Sequence, residues 1–126
     1  MSVGYVDTSA LLAVAFSEPT RPAVERRLSQ LTSVASSNLL EAELRAGLSR
    51  EGRAFDPQLT RGITWVLPVR PLTPELVTVL GVGYLRGADL WHVAAALYAA
   101  PDPQGVTFVT LDRRQGEVAA ALGFQT

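Results

Sequence analysis

Short apolar runs alternate along this chain with longer stretches whose apolar positions recur at helical spacing. Val3 to Val6 is a run of small and apolar residues that stops at Asp7. Thr8 to Phe16 reads as a helix closed near Pro19, and Pro22 to Leu31 as a second one, with Val24, Leu28 and Leu31 on one face. SVAS at 33–36 predicts a short strand, after which Ser37 or Asn38 caps a helix through about Arg50, ended by Gly52. Asp56 and Pro57 predict the cap and first turn of a further helix running to about Trp65. VLPVRPL at 66–72 holds two prolines, which limits it to an edge strand at most. A helix from Thr73-Pro74 ends near Gly81 or Gly83, and an alanine-rich helix runs from Asp89 to Ala100. VTFVT at 106–110 is a strand by its β-branched residues, and Arg113 to Leu122 is a helix stopped by Gly123.

Strands separated by helices predict an α/β fold with a parallel sheet covered on both faces. Repeats, linkers and low-complexity tracts are absent from the sequence, so residues 1–126 are expected to form one domain, long enough to bury a core. A composition of 48% hydrophobic and 18% charged residues favours a folded globule over a disordered chain.

Composition narrows the chemistry. The chain has no cysteine, which excludes disulfides, thiolate catalysis and zinc sites built on Cys. All 11 basic residues are arginine, so any mechanism that needs a lysine is excluded as well. The net charge of −1 gives no general attraction to nucleic acid. No apolar run approaches the roughly 20 residues that span a bilayer, and the start lacks the basic and apolar regions of a signal peptide. A cytoplasmic protein not bound to membrane is the expectation.

Four carboxylates stand out: Asp7, Glu43, Asp89 and Asp112. Asp7 and Asp112 follow apolar strands and precede helices. The C-terminal ends of parallel strands share one edge of the sheet, where ligands of open α/β folds bind. The bland alternative is that Asp7, Asp89 and Asp112 are helix caps. Glu43 has no such alternative. Inside SNLLEAELRAGL it lies within roughly 60° of Leu39, Leu40 and Gly47, while Glu41 and Arg45 pair on the opposite face. An acid on an apolar stripe needs a cation, a basic partner or a proton, and Gly47, one turn on, leaves room beside it. If the four acids converge, their oxygens suit a hard divalent cation such as Mg²⁺ or Mn²⁺. His92, the single histidine, follows Asp89 by one turn; it shuttles a proton, binds phosphate or packs on the helix side. Trp65 and Trp91 read as core residues. There is no P-loop, GxGxxG or nucleophile elbow.

YVDTSALLAVAF, SSNLLEAELRAGL, LRGADLWHVAAAL and FVTLDRRQGEVAAALGF resemble, in order, the four acidic motifs of PIN domains, with the closest likeness to VapC-type toxins of toxin–antitoxin pairs. The resemblance covers nearly the whole chain; residues 52–72 carry no motif of it. It implies a three-layer α/β/α sandwich with a parallel sheet of about five strands, and a ribonuclease dependent on Mg²⁺ or Mn²⁺. Carried over by position, Asp7, Glu43, Asp89 and Asp112 match the metal-holding catalytic acids. Thr8 and Ser9 match the hydroxyl residues after the first acid, and Thr110 the hydroxyl before the last. Arg86 and Arg113 join Arg45, Arg50 and Arg114 as arginines near the motifs that are candidates to hold phosphate. The short tail after Phe124 leaves little room for a full final strand. The implied partners are an RNA substrate, an antitoxin protein and a second copy of the chain, with Ser9–Phe16 and Pro22–Leu31 as walls of an antitoxin groove. Mean hydropathy of +0.19 agrees with helix faces that a partner covers.

Two other readings stand beside this one. A PIN fold without catalysis would act only as a binding module. A phospho-acceptor receiver domain has similar size and acid placement, but needs a lysine near its last strand and usually opens with adjacent acids; here there is no lysine and Asp7 stands alone.

Overall fold

In the computed structural model, which describes residues 2–126, four parallel strands form a sheet in the order β3-β2-β1-β4. The strands are β1 (Val3–Val6), β2 (Ser33–Ser37), β3 (Ile63–Val66) and β4 (Val106–Val109). Between β1 and β2 lie helices α1 (Thr8–Ala15) and α2 (Arg21–Ser29), and between β2 and β3 lies α3 (Asn38–Arg50). Helices α4 (Thr73–Val82) and α5 (Gly87–Ala99) connect β3 to β4, and α6 (Arg113–Leu122) follows β4.

The alternation of side chains along a strand sorts these helices into two layers. Tyr5 and Phe108 are register partners on β1 and β4 and point to one face, their rings stacked at 5.3 Å. There they meet Leu72, Val79, Val93, Ala94, Ala95 and Val118 from the α4, α5 and α6 side. Val6 and Val109, one residue on, point to the other face and meet Ala10, Leu11, Val24, Leu40 and Leu44 from α1, α2 and α3. The run of buried alanines in α5 keeps that helix close to the sheet. Gly4 does the same for the end of α2: a Cβ there would collide with Leu31 Cδ1 and stand 3.2 Å from the Thr107 carbonyl oxygen. The three-layer α/β/α sandwich implied by the sequence is therefore the fold.

Three details differ from expectation. The sheet has four strands rather than about five; the fifth is reduced to one parallel bridge between Thr107 and Gln125, made by Gln125 N–H to Val106 O (2.9 Å) and Phe108 N–H to Gln125 O (2.7 Å). The helix expected from Asp56 to Trp65 is a single 3₁₀ turn, Pro57–Thr60, capped by Asp56 as foreseen. Gly62, with φ of +80°, turns the chain, and β-branched Ile63, Thr64 and Val66 then take β3. The edge strand suspected at 66–72 accordingly ends at Val66, and the two prolines fall beyond it. Trp65 and Trp91 are only partly buried, at the margins of the two cores.

Candidate active site

Asp7 and Asp112 leave the parallel strands β1 and β4 at the same sheet edge, where Asp7 N–H donates to Val109 O at 3.1 Å. Both are indeed helix caps. Asp7 Oδ1 accepts from Ala10 N–H (3.3 Å) at the start of α1, and Asp112 Oδ1 accepts from Gln115 N–H (2.8 Å) at the start of α6. Capping does not use up a carboxylate, because these bonds fall on Oδ1 alone. Asp89 is not a cap. Helix α5 begins two residues earlier than expected, at Gly87, with Arg86 in the cap position and Asp89 in the first turn.

Hydroxyl groups tie these acids together. Ser9 Oγ donates to Asp7 Oδ1 (2.8 Å), accepts from Leu111 N–H (3.0 Å) and approaches Thr110 Oγ1 at 3.3 Å. Thr110 Oγ1 accepts from Asp112 N–H (3.0 Å) and donates to Gln115 Oε1 (2.8 Å). Gln115, fully buried, closes the chain with Nε2 donating to the Asp89 carbonyl at 3.1 Å. The hydroxyls of Thr8, Ser9 and Thr110 thus all donate to protein acceptors. Gln115 was not among the sequence candidates. Its signal was the Asp-x-x-Gln spacing of a capping box, although the side chain serves Thr110 and Asp89 instead of the cap's own N–H.

Glu43 projects from α3 to the same place. Its Oε1 accepts from Thr8 Oγ1 at 2.6 Å and lies 2.9 Å from His92 Nε2. Glu41 pairs with Arg45 on the outer face at 2.8 Å, so the two glutamates diverge as the helix register requires. The basic partner that an acid on an apolar stripe needs is His92, buried at 2% exposure. The room expected at Gly47 belongs to Leu12, whose methyl would stand 3.1 Å from a Cβ there.

Burial, and at Asp89 the neighbouring carboxylates as well, raise the cost of ionisation. Burial pushes the Asp7 carboxyl above the usual range. Asp89 is also pushed up, by burial first and then by the charge of Asp112, with Glu43 adding to it and Arg86 opposing. Glu43 is held below its usual range by the hydrogen bond from His92, against its partial burial. Asp89 and Asp112 line a small cleft of about 190 Å³ with Arg86 and Arg114. Arg113 pairs with Glu117 at 3.1 Å beside a neighbouring hollow that includes Thr110 and Asp112. Arg45 and Arg50 are not brought to the cleft: Arg45 holds Glu41 and lies over Phe55, and Arg50 sits by Glu51 on the surface.

The donor set is oxygen throughout, and its excess negative charge fits a hard cation. It is not a closed cage: among the described residues no three Asp, Glu or His side chains stand together at metal-ligating distance. Among the described residues, no helix is long and apolar enough to cross a membrane.

A parallel α/β/α sandwich with acids gathered at the C-terminal edge of its sheet, steadied by hydroxyls at the start of α1 and the end of β4, defines an acidic-site α/β domain. Residues 4–121, from within β1 to the last turn of α6, match the PIN domain family, and the chain belongs to it. PIN domains are commonly nucleases and generally use divalent metals. No curated protein matches the chain at a significant level.

Proposed function

We propose that this protein is a metal-dependent endoribonuclease that hydrolyses RNA phosphodiester bonds and serves as the VapC-like toxin of a toxin–antitoxin pair. The observation that carries the reading is the gathering of acids at one sheet edge, where Asp89 and Asp112 line one cleft and Asp89 is raised by burial first and then by the charge of Asp112. Asp7, Asp89, Asp112 and Glu43 would hold Mg²⁺ or Mn²⁺. When bound, such an ion supplies Lewis acidity at the phosphate and a water made more acidic for in-line attack. Arg86 and Arg114, at the rim of the cleft, hold the phosphate on either side of the acids. Thr8 and Ser9 orient the Glu43 and Asp7 carboxylates through the bonds described above, and Thr110 holds the Asp112 backbone.

Calorimetric titration with Mn²⁺ tests this directly. Glu43→Gln is expected to weaken binding on the order of tenfold or more, whereas Glu41→Gln leaves it unchanged, because only Glu43 faces the other acids. Equal effects from the two variants would contradict the assignment, and no binding by wild type would favour a non-catalytic PIN module.

The toxin role calls for a protein partner. A groove of about 490 Å³, lined by Leu11, Val14, Arg21, Leu28, Leu59 and Ile63, runs between α1, α2 and the 3₁₀ turn. It supports helices α1 and α2 as walls for an antitoxin segment. Val69, Val77 and Tyr84, exposed by 67–90% of their surface, supply apolar area for a homodimer. Co-expression with the product of the adjacent upstream gene is expected to yield a stable complex on purification; a free monomer that never captures that product would contradict the toxin role.

A further inference from the structure

Helix α6 buries Val118, Ala119 and Gln115, and the last is an amide where an apolar side chain would serve the core as well. A buried amide is costly unless its hydrogen bonds are made. Here both go to the acidic edge: Gln115 Nε2 donates to the Asp89 carbonyl at 3.1 Å, and Oε1 accepts from Thr110 Oγ1 at 2.8 Å. The direction of each bond is fixed by the groups themselves. A main-chain carbonyl only accepts, so the amide nitrogen faces Asp89 and the amide oxygen faces Thr110. An amide oxygen only accepts as well, so the hydroxyl hydrogen of Thr110 is committed to it. The Thr110 oxygen then takes the Asp112 N–H at 3.0 Å. No member of this chain of bonds titrates. Ser9 Oγ stands 3.3 Å from Thr110 Oγ1, but its hydrogen goes to Asp7 Oδ1 at 2.8 Å, so no hydrogen is left for that approach.

We propose that Gln115 is a positioning residue that clamps the first turn of α5 to the end of β4, through Thr110, and so fixes the spacing of Asp89 from Asp112 for metal binding. Three attachments meet on this one residue. Its own N–H holds Asp112 Oδ1 at 2.8 Å. Its amide oxygen holds Thr110, which in turn holds the Asp112 main chain. Its amide nitrogen holds the main chain of Asp89, on a different helix. Asp89 and Asp112 line the same cleft of about 190 Å³, where two carboxylates repel one another and push their elements apart. The amide ties those elements together without adding charge. Removing it also releases the hydroxyl hydrogen of Thr110, which can then turn to Ser9 and compete with the bond from Ser9 to Asp7. A single apolar substitution at Gln115 therefore reaches three of the four acids, although its side chain touches no carboxylate.

The consequence for metal binding rests on the ribonuclease reading above; the clamp does not. NMR of ¹⁵N-labelled, metal-free protein reads the clamp alone, with the side-chain amide of Gln115 assigned by its absence from Gln115→Met. That amide is expected to exchange with solvent roughly tenfold or more slowly than the amide of exposed Gln104. Exchange as fast as Gln104 overturns the clamp. Mn²⁺ titration then reads the positioning. Gln115→Met, which keeps length and volume but makes neither bond, is expected to weaken Mn²⁺ binding roughly 10–100-fold. Val118→Ala, which hollows the same buried face of α6, is expected to lower the melting temperature and leave Mn²⁺ affinity as it is. Thr110→Ser keeps the hydroxyl and is expected to hold the wild-type affinity, whereas Thr110→Val loses about as much as Gln115→Met; this pair decides the matter if the methionine variant does not fold. Unchanged affinity in Gln115→Met, an equal loss in Val118→Ala, or serine no better than valine overturns positioning by Gln115. If wild type binds no Mn²⁺, it is the ribonuclease reading that fails, and the amide exchange still decides the clamp.

Discussion

Asp7→Asn is expected to lower metal-dependent cleavage on the order of 10³-fold, equivalent to several kcal/mol of lost charge stabilisation, while metal-free thermal stability holds or rises. The stability half of this result follows from the sign of the pKa shift. Burial places the Asp7 carboxyl above its unfolded value, so the folded state binds that proton more tightly. Stability from such a group is present at low pH and falls as pH rises through the interval between the unfolded and folded values. Above the folded-state value the native protein carries the cost of a buried charge. Asparagine removes that cost, and its Oδ1 still accepts from Ala10 N–H and from Ser9, so α1 keeps its cap. Asp89→Asn should behave alike, since its carboxyl is raised as well and it caps nothing. A variant that unfolds at much lower temperature yet cleaves normally when folded would reduce Asp7 to a cap. The readouts are the melting temperature in chelator and initial cleavage rates with metal.

Divalent metal is expected to raise the melting temperature of the wild type by several degrees, and that of Asp7→Asn by much less. The buried Asp7 carboxyl, and Asp89 with Asp112 beside it, burden the metal-free fold, and an ion bound only to the native state relieves them. At a hundredfold excess over Kd, mass action gives about 2.7 kcal/mol of stabilisation. For a domain of 126 residues that corresponds to roughly 10 °C. Helix caps alone do not respond to Mg²⁺ or Mn²⁺. A thermal scan in Mg²⁺, Mn²⁺ and EDTA reads the effect; identical curves for wild type in all three would contradict metal binding at this site.

Most of the fold was legible because its helices carry strong period and punctuation. Helix α6 stops at Gly123, which takes φ of +111°, and α3 ends just before Gly52 at +65°. The 56–72 region misled for a physical reason. Asp56-Pro57 is a sound helix start, and a four-residue strand such as Ile63–Val66 is too short to outweigh it by period alone. What decides there is tertiary: β3 gains a full parallel ladder on β2, with Val34 opposite Ile63 and Ser37 opposite Val66. Among the acids, helix geometry separated Glu43 from Glu41 because a 200° difference in direction does not depend on the rest of the fold. The contact between His92 and Tyr5 was not legible. They lie 87 positions apart, and only the packing of α5 across β1 brings the ring nitrogen to the hydroxyl. Gln115 likewise shows its purpose only when Thr110 and Asp89 are placed beside it.

Cleavage of RNA by the purified wild-type protein, measured across a broad substrate panel in Mg²⁺, Mn²⁺ and EDTA with Asp7→Asn as the control for contaminating nuclease, tests the central claim most directly. Cleavage by wild type in Mg²⁺ or Mn²⁺, abolished both by EDTA and in the Asp7→Asn protein, is the result expected. Absence of cleavage on every substrate, or equal cleavage in EDTA, would contradict a metal-dependent ribonuclease.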